Sequence, residues 1–245
     1  MLKGKNVIVT GARKGIGRAV VEKLAINKAN VWACARSYDI AFENDMCELS
    51  EEYGVSINPV YFDLNNETEV KEAIRAIIKE HVNIDALINN AGIAQYEKLQ
   101  LMKIENAKQI FNNNFFSTLY LTQLVMRKLT RETGSIVFVS SISGYSPEIG
   151  NIAYGGSKIA ISHATKVLAL ELAEQKIRVN AVSPGLVDTD MKNLANEASW
   201  KAMLNRTTLK RAARPGEIAN VICFLISEQA SYINGQIIHV DGGFF

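Results

Sequence analysis

Residues 6–17 read NVIVTGARKGIG, and the fold turns on this stretch. A short β-branched run, Asn6–Thr10, stops at a loop carrying Gly11, Gly15 and Gly17, and a helix-like segment follows. Glycine lets the chain turn sharply and lets a pyrophosphate approach the backbone. The helix behind it offers unpaired N–H groups and the positive end of its dipole. Three glycines in a loop say little alone, but between the first strand and the first helix they point to a nucleotide. Gly11, Arg13, Lys14, Gly15, Ile16 and Gly17 are therefore candidate cofactor contacts.

The same alternation continues along the chain. Strand candidates are 6–10, 30–35, 58–62, 84–89, 135–140, 177–182 and 236–240. Helical periodicity lies between them, as in Val70, Ile74, Ile77 and Ile78. Strands apolar along their whole length are covered on both faces, as in a parallel sheet. Alternating β and α elements predict an α/β fold, a doubly wound, seven-stranded, Rossmann-like parallel sheet. With no linker, repeat or compositional break, residues 1–245 are expected to form a single domain.

Bulk properties narrow the function. Hydrophobic residues at 48% and charged residues at 21% predict a soluble domain with a sizeable core. A formal net charge of +2, with interspersed signs, builds no basic stripe for nucleic acid. The apolar run before Gly11 is too short for a signal peptide, and no stretch has the length of a membrane span. The expected location is cytoplasmic, which makes the sequons at Asn66 and Asn205 meaningless. Cys34, Cys47 and Cys223 lack metal-ligand spacing and are expected to be buried free thiols. His81, His163 and His239 lie far apart and suggest neither a zinc site nor a serine–histidine relay. No metal is expected.

In such a sheet ligands bind beyond the carboxyl ends of the strands. The second strand is followed by Arg36-Ser37 where NAD-specific sheets carry an acid. Lys14 and Arg36 can flank a 2′-phosphate, and the planar guanidinium suits phosphate oxygens, so NADP(H) is the expected cofactor. The third strand ends in Asp63-Leu64, and Asp63 either accepts a hydrogen bond from adenine or caps a helix. The fourth ends in Asn89-Asn90-Ala91-Gly92, which either lines the same edge or forms an ordinary turn.

The fifth strand runs into Ser140-Ser141. Tyr154 stands thirteen residues beyond Ser141, and Lys158 four further on, on one helix face. Ketone reduction needs a proton for the oxygen as hydride reaches the carbon. A phenol of ordinary pKa about 10 exchanges protons poorly near neutral pH. A nearby ammonium that lowers it by about two to three units contributes roughly 3–4 kcal/mol. Ser141 can hold the carbonyl oxygen beside the tyrosine. Alone, Ser141 reads as a strand-end cap and Tyr154–Lys158 as a surface pair.

The ordered set Thr10-Gly11-x3-Gly15-x-Gly17, Asn89-Asn90-Ala91-Gly92, Asn114, Ser141, Tyr154-x3-Lys158 and Pro184-Gly185 resembles the short-chain dehydrogenase/reductase family. The resemblance runs to the closing Val240-Asp241-Gly242-Gly243. It implies Tyr154 as acid–base, and Lys158 binding the nicotinamide ribose and lowering the tyrosine pKa. It implies that Ser141 orients the substrate and that Asn114 helps hold a water linking Lys158 to solvent. Asn114 is preferred to Asn112 and Asn113 because Phe-Phe-Ser follows it. Pro184, Gly185, Val187 and Thr189 are implied around the nicotinamide. The family usually assembles as homotetramers.

Within the family the chain resembles the 3-oxoacyl-(acyl-carrier-protein) reductase group, which implies a 3-oxoacyl thioester as the ketone and acyl carrier protein as a partner. That group docks its acidic carrier through two arginines. Glu132 and Gln175 stand there in this chain, with Arg131 and Lys176 one residue away. An acid at such a site repels the partner and keeps a sugar, polyol or other small carbonyl as an alternative substrate. A catalytically silent NADP(H) sensor is a third reading, opposed by the intact Ser141, Tyr154 and Lys158. Substrate choice is expected in a lid at 188–209, whose apolar side carries Met191, Leu194, Trp200, Met203 and Leu204; plain packing on the domain is the alternative. Tyr96, Ile142, Tyr145 and Ile149 are further pocket candidates.

Overall fold

The computed structural model describes residues 2–80, 83–194 and 197–244. Seven strands form one sheet: β1 (Asn6–Thr10), β2 (Asn30–Ala35), β3 (Ile57–Tyr61), β4 (Ala86–Asn89), β5 (Ser135–Val139), β6 (Arg178–Pro184) and β7 (Ile237–Val240). Their order is β3-β2-β1-β4-β5-β6-β7, and every pairing is parallel. The direction of travel reverses between β1 and β4. A crevice opens at that switch point, beyond the strands' carboxyl ends.

Side chains alternate across the sheet and build two cores. Val7, Val9, Val31, Ala33, Ile88 and Val137 face one layer. There they pack on α1 (Gly15–Ile26), α2 (Ile40–Tyr53) and α8 (Pro215–Ile226). Ile8, Trp32, Leu87, Ile136 and Phe138 face the other. That layer holds α3 (Glu67–Lys79), α5 (Ser117–Met126) and α6 (Ile152–Glu171). Burying each such aliphatic side chain contributes about 1.5–3 kcal/mol, so the sheet is held from both sides.

Local chemistry sets the helix boundaries. Asn66 caps α3, accepting from the backbone N–H groups of Thr68 and Glu69. The expected periodicity buries Val70, Ile74 and Ile77 and leaves Ile78 half-buried. Asp39 caps α2 through the N–H groups of Ala41 and Phe42, and Gly54 ends it at φ 59°.

The strands depart from expectation at their ends. Ile84 pairs only as an isolated bridge to Leu129, and β6 runs on to Pro184. The edge strands β3 and β7 are less buried than the inner strands, because each has a strand neighbour on one side only; Ile57, Ile238 and Val240 still meet one core, and Val60 and Ile237 the other. Cys34 and Cys223 are buried free thiols, whereas Cys47 is exposed on the solvent side of α2, a correction to the expectation for all three. His81 lies outside the described residues.

Candidate active site

A cleft of about 2000 Å³ runs along the carboxyl edge of the sheet. The glycine loop forms one wall. Gly11 (φ 66°) and Gly15 (φ 59°) occupy the left-handed region, and a Cβ at Gly17 would lie 2.1 Å from the Gly11 carbonyl oxygen. Gly17 does not line the cleft; its bare Cα lets α1 start directly beneath the loop. The cradle is fastened to β4. Thr10 Oγ1 accepts from the N–H groups of Asn90 and Ala91, both at 3.0 Å. Asn90 Nδ2 donates to the carbonyls of Thr10 (3.0 Å) and Gly11 (3.2 Å). Asn90 thus lines the cleft but spends its amide on the loop.

The basic residues each meet an acid. Arg13 Nη1 is 3.4 Å from Asp39 Oδ2. Lys14 Nζ is 2.7 Å from Asp190 Oδ2 and, through that contact, holds the Asp190 carboxyl below its ordinary range. Arg36 Nε is 3.8 Å from Asp63 Oδ2. All are solvent-screened, so a phosphate can compete for the cations. Asp63 does not cap α3, which Asn66 does. Its Oδ1 accepts from Asn65, and its own N–H donates to Glu69. Arg13, Lys14, Gly15, Ile16, Arg36, Ser37, Asp63, Leu64, Ala91 and Gly92 all line the cleft.

The other end holds buried polar groups. Ser141 follows β5, and its Oγ accepts from Ser143 N–H at 3.1 Å, capping a 3₁₀ turn. The same hydroxyl sits near enough to Tyr154 to favour its phenolate, so capping and facing the tyrosine coexist. Tyr154 and Lys158 are both buried on α6, not a surface pair, and Lys158 Nζ lies 5.9 Å from the Tyr154 ring centroid. Nζ donates to the Val139 carbonyl at 2.8 Å. Burial pushes the Tyr154 phenol up and the Lys158 ammonium down to about 8. The expected lowering of the phenol by Lys158 is not seen: desolvation dominates, and both groups are driven toward their neutral forms.

Asn114 is buried one layer back. Its Oδ1 accepts from Ile93 N–H at 2.8 Å, and its Nδ2 donates to the Ile93 carbonyl (2.9 Å) and Ser157 Oγ (3.0 Å). A π turn at Asn112–Phe116, between α4 (Ile104–Phe111) and α5, carries it. Asn112 instead donates to Asn65, and Asn113 accepts from it. Gly92 packs in this corner, where a Cβ would approach Asn114 Oδ1 to 3.1 Å and Lys158 Nζ to 3.3 Å.

Pro184, Gly185, Val187 and Thr189 line the cleft, and Thr189 Cγ2 lies against Gly15. On the substrate side stand Tyr96, Ile142, Ile149, Met191, Trp200 and Met203; the Tyr96 and Tyr154 rings are 5.9 Å apart. Tyr145 is a correction. It stacks edge-on against His239, centroids 4.8 Å apart, and does not line the cleft, because the 3₁₀ turn at Ile142–Gly144 carries it toward β7. The side chain of Leu194 lies outside the described residues. Sequence reading missed Ser140 and Ser157. Ser140 Oγ meets the Lys158 carbonyl and Ser162 Oγ, and Ser157 Oγ links Asn114 to the Tyr154 carbonyl. Nothing in their local pattern separates them from other serines.

A doubly wound sheet with a glycine crossover and a buried serine–tyrosine–lysine set defines an oxidoreductase class. A family model described as enoyl-(acyl carrier protein) reductase matches residues 11–245. The 3-oxoacyl-[acyl-carrier-protein] reductase of Aquifex aeolicus is 37% identical over 245 residues, covering 100% of this chain and 98% of the relative. A 7alpha-hydroxysteroid dehydrogenase of Paraclostridium sordellii is 38% identical over 250 residues, covering 99% and 92%. The crystal structure of a short chain dehydrogenase from Burkholderia cenocepacia, in complex with NADP, superposes with TM-score 0.92 at 29% identity, covering 99% of this chain and 98% of that one. This chain belongs to the short-chain dehydrogenase/reductase family and is an oxidoreductase.

Proposed function

We propose that this chain reduces a ketone to a secondary alcohol with NADPH, and that its ketone is a 3-oxoacyl thioester. The observation that carries the reading is one cleft with a glycine cradle and cations at one end and buried Ser141, Tyr154 and Lys158 at the other. The cradle fits a dinucleotide: its glycines leave the room that side chains would fill, and the N-terminus of α1 faces the cleft. Arg13, Lys14 and Arg36 supply positive charge for a 2′-phosphate. The bound NADPH would supply the hydride. Ser141 donates to the carbonyl oxygen and holds it. Tyr154, a phenol near neutral pH, gives that oxygen its proton. Lys158 holds the ribose and offers charge to the phenolate that is left, and Asn114 fixes the backbone beside it. The segment 188–209 covers the ketone as a lid.

The 3-oxoacyl thioester draws support from the Aquifex relative, whose name includes that substrate. A specific observation favours a free small or alicyclic carbonyl as the second reading. Lys176 Nζ is 3.1 Å from Glu132 Oε1, so one of the two cations beside the expected carrier-docking site already faces an acid; the steroid dehydrogenase relative points the same way. A cytoplasmic location and a homotetramer belong to the same proposal. Among the described residues no helix is long and apolar enough to cross a membrane.

The test is cofactor consumption, with NADPH and NADH in parallel, against 3-oxoacyl thioesters (with and without carrier protein), sugar ketones and steroid ketones. NADPH-dependent turnover of a thioester is expected, and Tyr154→Phe should bind NADPH yet lose most turnover. Full activity in that variant overturns the mechanism.

A further inference from the structure

The catalytic set leaves a charged cluster on the substrate side unused. Arg206, just past α7 (Glu197–Asn205), joins the loop after Ser141 to the C-terminal segment. Its Nη1 donates to Glu148 Oε1 and its Nη2 to Ser146 Oγ, both at 3.0 Å. Its guanidinium carbon lies 4.3 Å from the centroid of the Phe244 ring. Ser146 and Glu148 belong to the loop between Ser141 and Tyr154, and Phe244 to the C-terminal segment.

Phe244 is itself anchored, since Thr207 and Phe244 form an antiparallel bridge. Thr208 donates to the Gly243 carbonyl through N–H at 3.0 Å and through Oγ1 at 2.8 Å. The helix these contacts fasten has no core of its own: no residue of α7 is buried. Yet Trp200 and Met203, on that helix, line the cleft. Nine residues do not hold a helix in water unaided, so whatever ties its ends decides where those two side chains stand.

We infer that Arg206 is a positioning residue that fastens α7 across the substrate side of the cleft, with Glu148 as its counter-charge, and so sets the size of ketone accepted. This rests on the ketoreductase reading. A lone exposed ion pair would be too weak for the task. Here Glu148 is only 24% exposed and Arg206 41%. The guanidinium fork also meets two acceptors and an aromatic face together. A lysine, being a point charge, would satisfy one of them.

Glu148→Gln and Arg206→Met, with the exchange Glu148→Arg/Arg206→Glu, test this in the full chain. The first readout is the ratio of KM for a long-chain 3-oxoacyl thioester to KM for acetoacetyl thioester, with NADPH saturating. The second, independent of activity, is the rate of trypsin cleavage after Lys201. Both single variants should shift the KM ratio and speed cleavage about tenfold, and the exchange should recover part of each. Unchanged cleavage in Glu148→Gln together with an unchanged KM ratio overturns the inference. An equal fall in kcat for both thioesters at unchanged KM also overturns it, because Arg206 would then act on the chemistry. Should the unaltered enzyme reduce neither thioester, the ketoreductase reading fails, and cleavage after Lys201 alone decides whether the clasp exists.

Discussion

At the scale of single residues, burial governs the proposed chemistry. Tyr154 is a phenol near neutral pH at its ordinary pKa already; burial pushes it further up and so makes it the weaker acid, which leaves the Lys158 charge to offset burial as the proton departs. Lys158 is pushed the other way, from 10.5 to about 8. The consequence for stability follows from linkage. Between about pH 8 and 10.5 the unfolded chain binds the lysine proton and the folded chain releases it, so stability rises with pH there. Below about pH 8 the lysine is charged in both states, and its burial costs about 3 kcal/mol. Lys158→Met removes that penalty. Urea unfolding should therefore show the variant more stable at pH 7, with the gap to the parent closing as pH approaches 10.5. A gap that does not depend on pH would show that Lys158 keeps its ordinary pKa.

At the scale of elements, turns between strands and helices build the site. The glycine loop works because a carbonyl, an amide side chain and α1 crowd where a side chain would go. At Gly17 a Cβ would meet the Gly11 carbonyl at 2.1 Å and Asn90 Nδ2 at 2.5 Å. Gly17→Ala should cost about 1–3 kcal/mol and sharply weaken NADPH binding, measured by denaturant unfolding and cofactor titration. Gly216, with nothing within 4 Å of an added Cβ, is the control. Gly216→Ala should leave unfolding unchanged or raise stability by about 0.4–1 kcal/mol. A Gly17→Ala protein as stable as the parent would mean the loop is looser than its contacts indicate. The π turn does comparable work on the far wall, since it aims Asn114 inward while Asn112 turns to Asn65.

At the scale of the whole molecule, apolar surface is left uncovered on the helices beside the cleft. Ile104 and Phe116 are each more than half exposed and border a second groove of about 580 Å³ with Phe111. On α6, Ile152 and Leu170 are exposed as well. An apolar groove such as the one at Ile104, Phe111 and Phe116 is a candidate contact surface. The proposed homotetramer would cover it, and light scattering should give four times the 27.0 kDa chain mass. A monomer mass at micromolar concentration refutes that assembly.

By itself the sequence determined the sheet, its seven strands and the glycine cradle. Each rests on a local signal: β-branched runs, helical periodicity, and glycines where a strand becomes a helix. The ordered pattern from Thr10 to Gly185 also singled out Ser141, Tyr154, Lys158 and Asn114. Packing alone decided the rest. The pairing of Lys14 with Asp190, the Arg206 clasp, and the roles of Ser140 and Ser157 join residues far apart in the chain. Tyr145 looked like a pocket residue until the turn after Ser141 carried it to His239. Protonation was undecidable from the sequence as well. It depends on how much water reaches Tyr154 and Lys158, and desolvation is a property of everything packed around a group rather than of its neighbours in the chain.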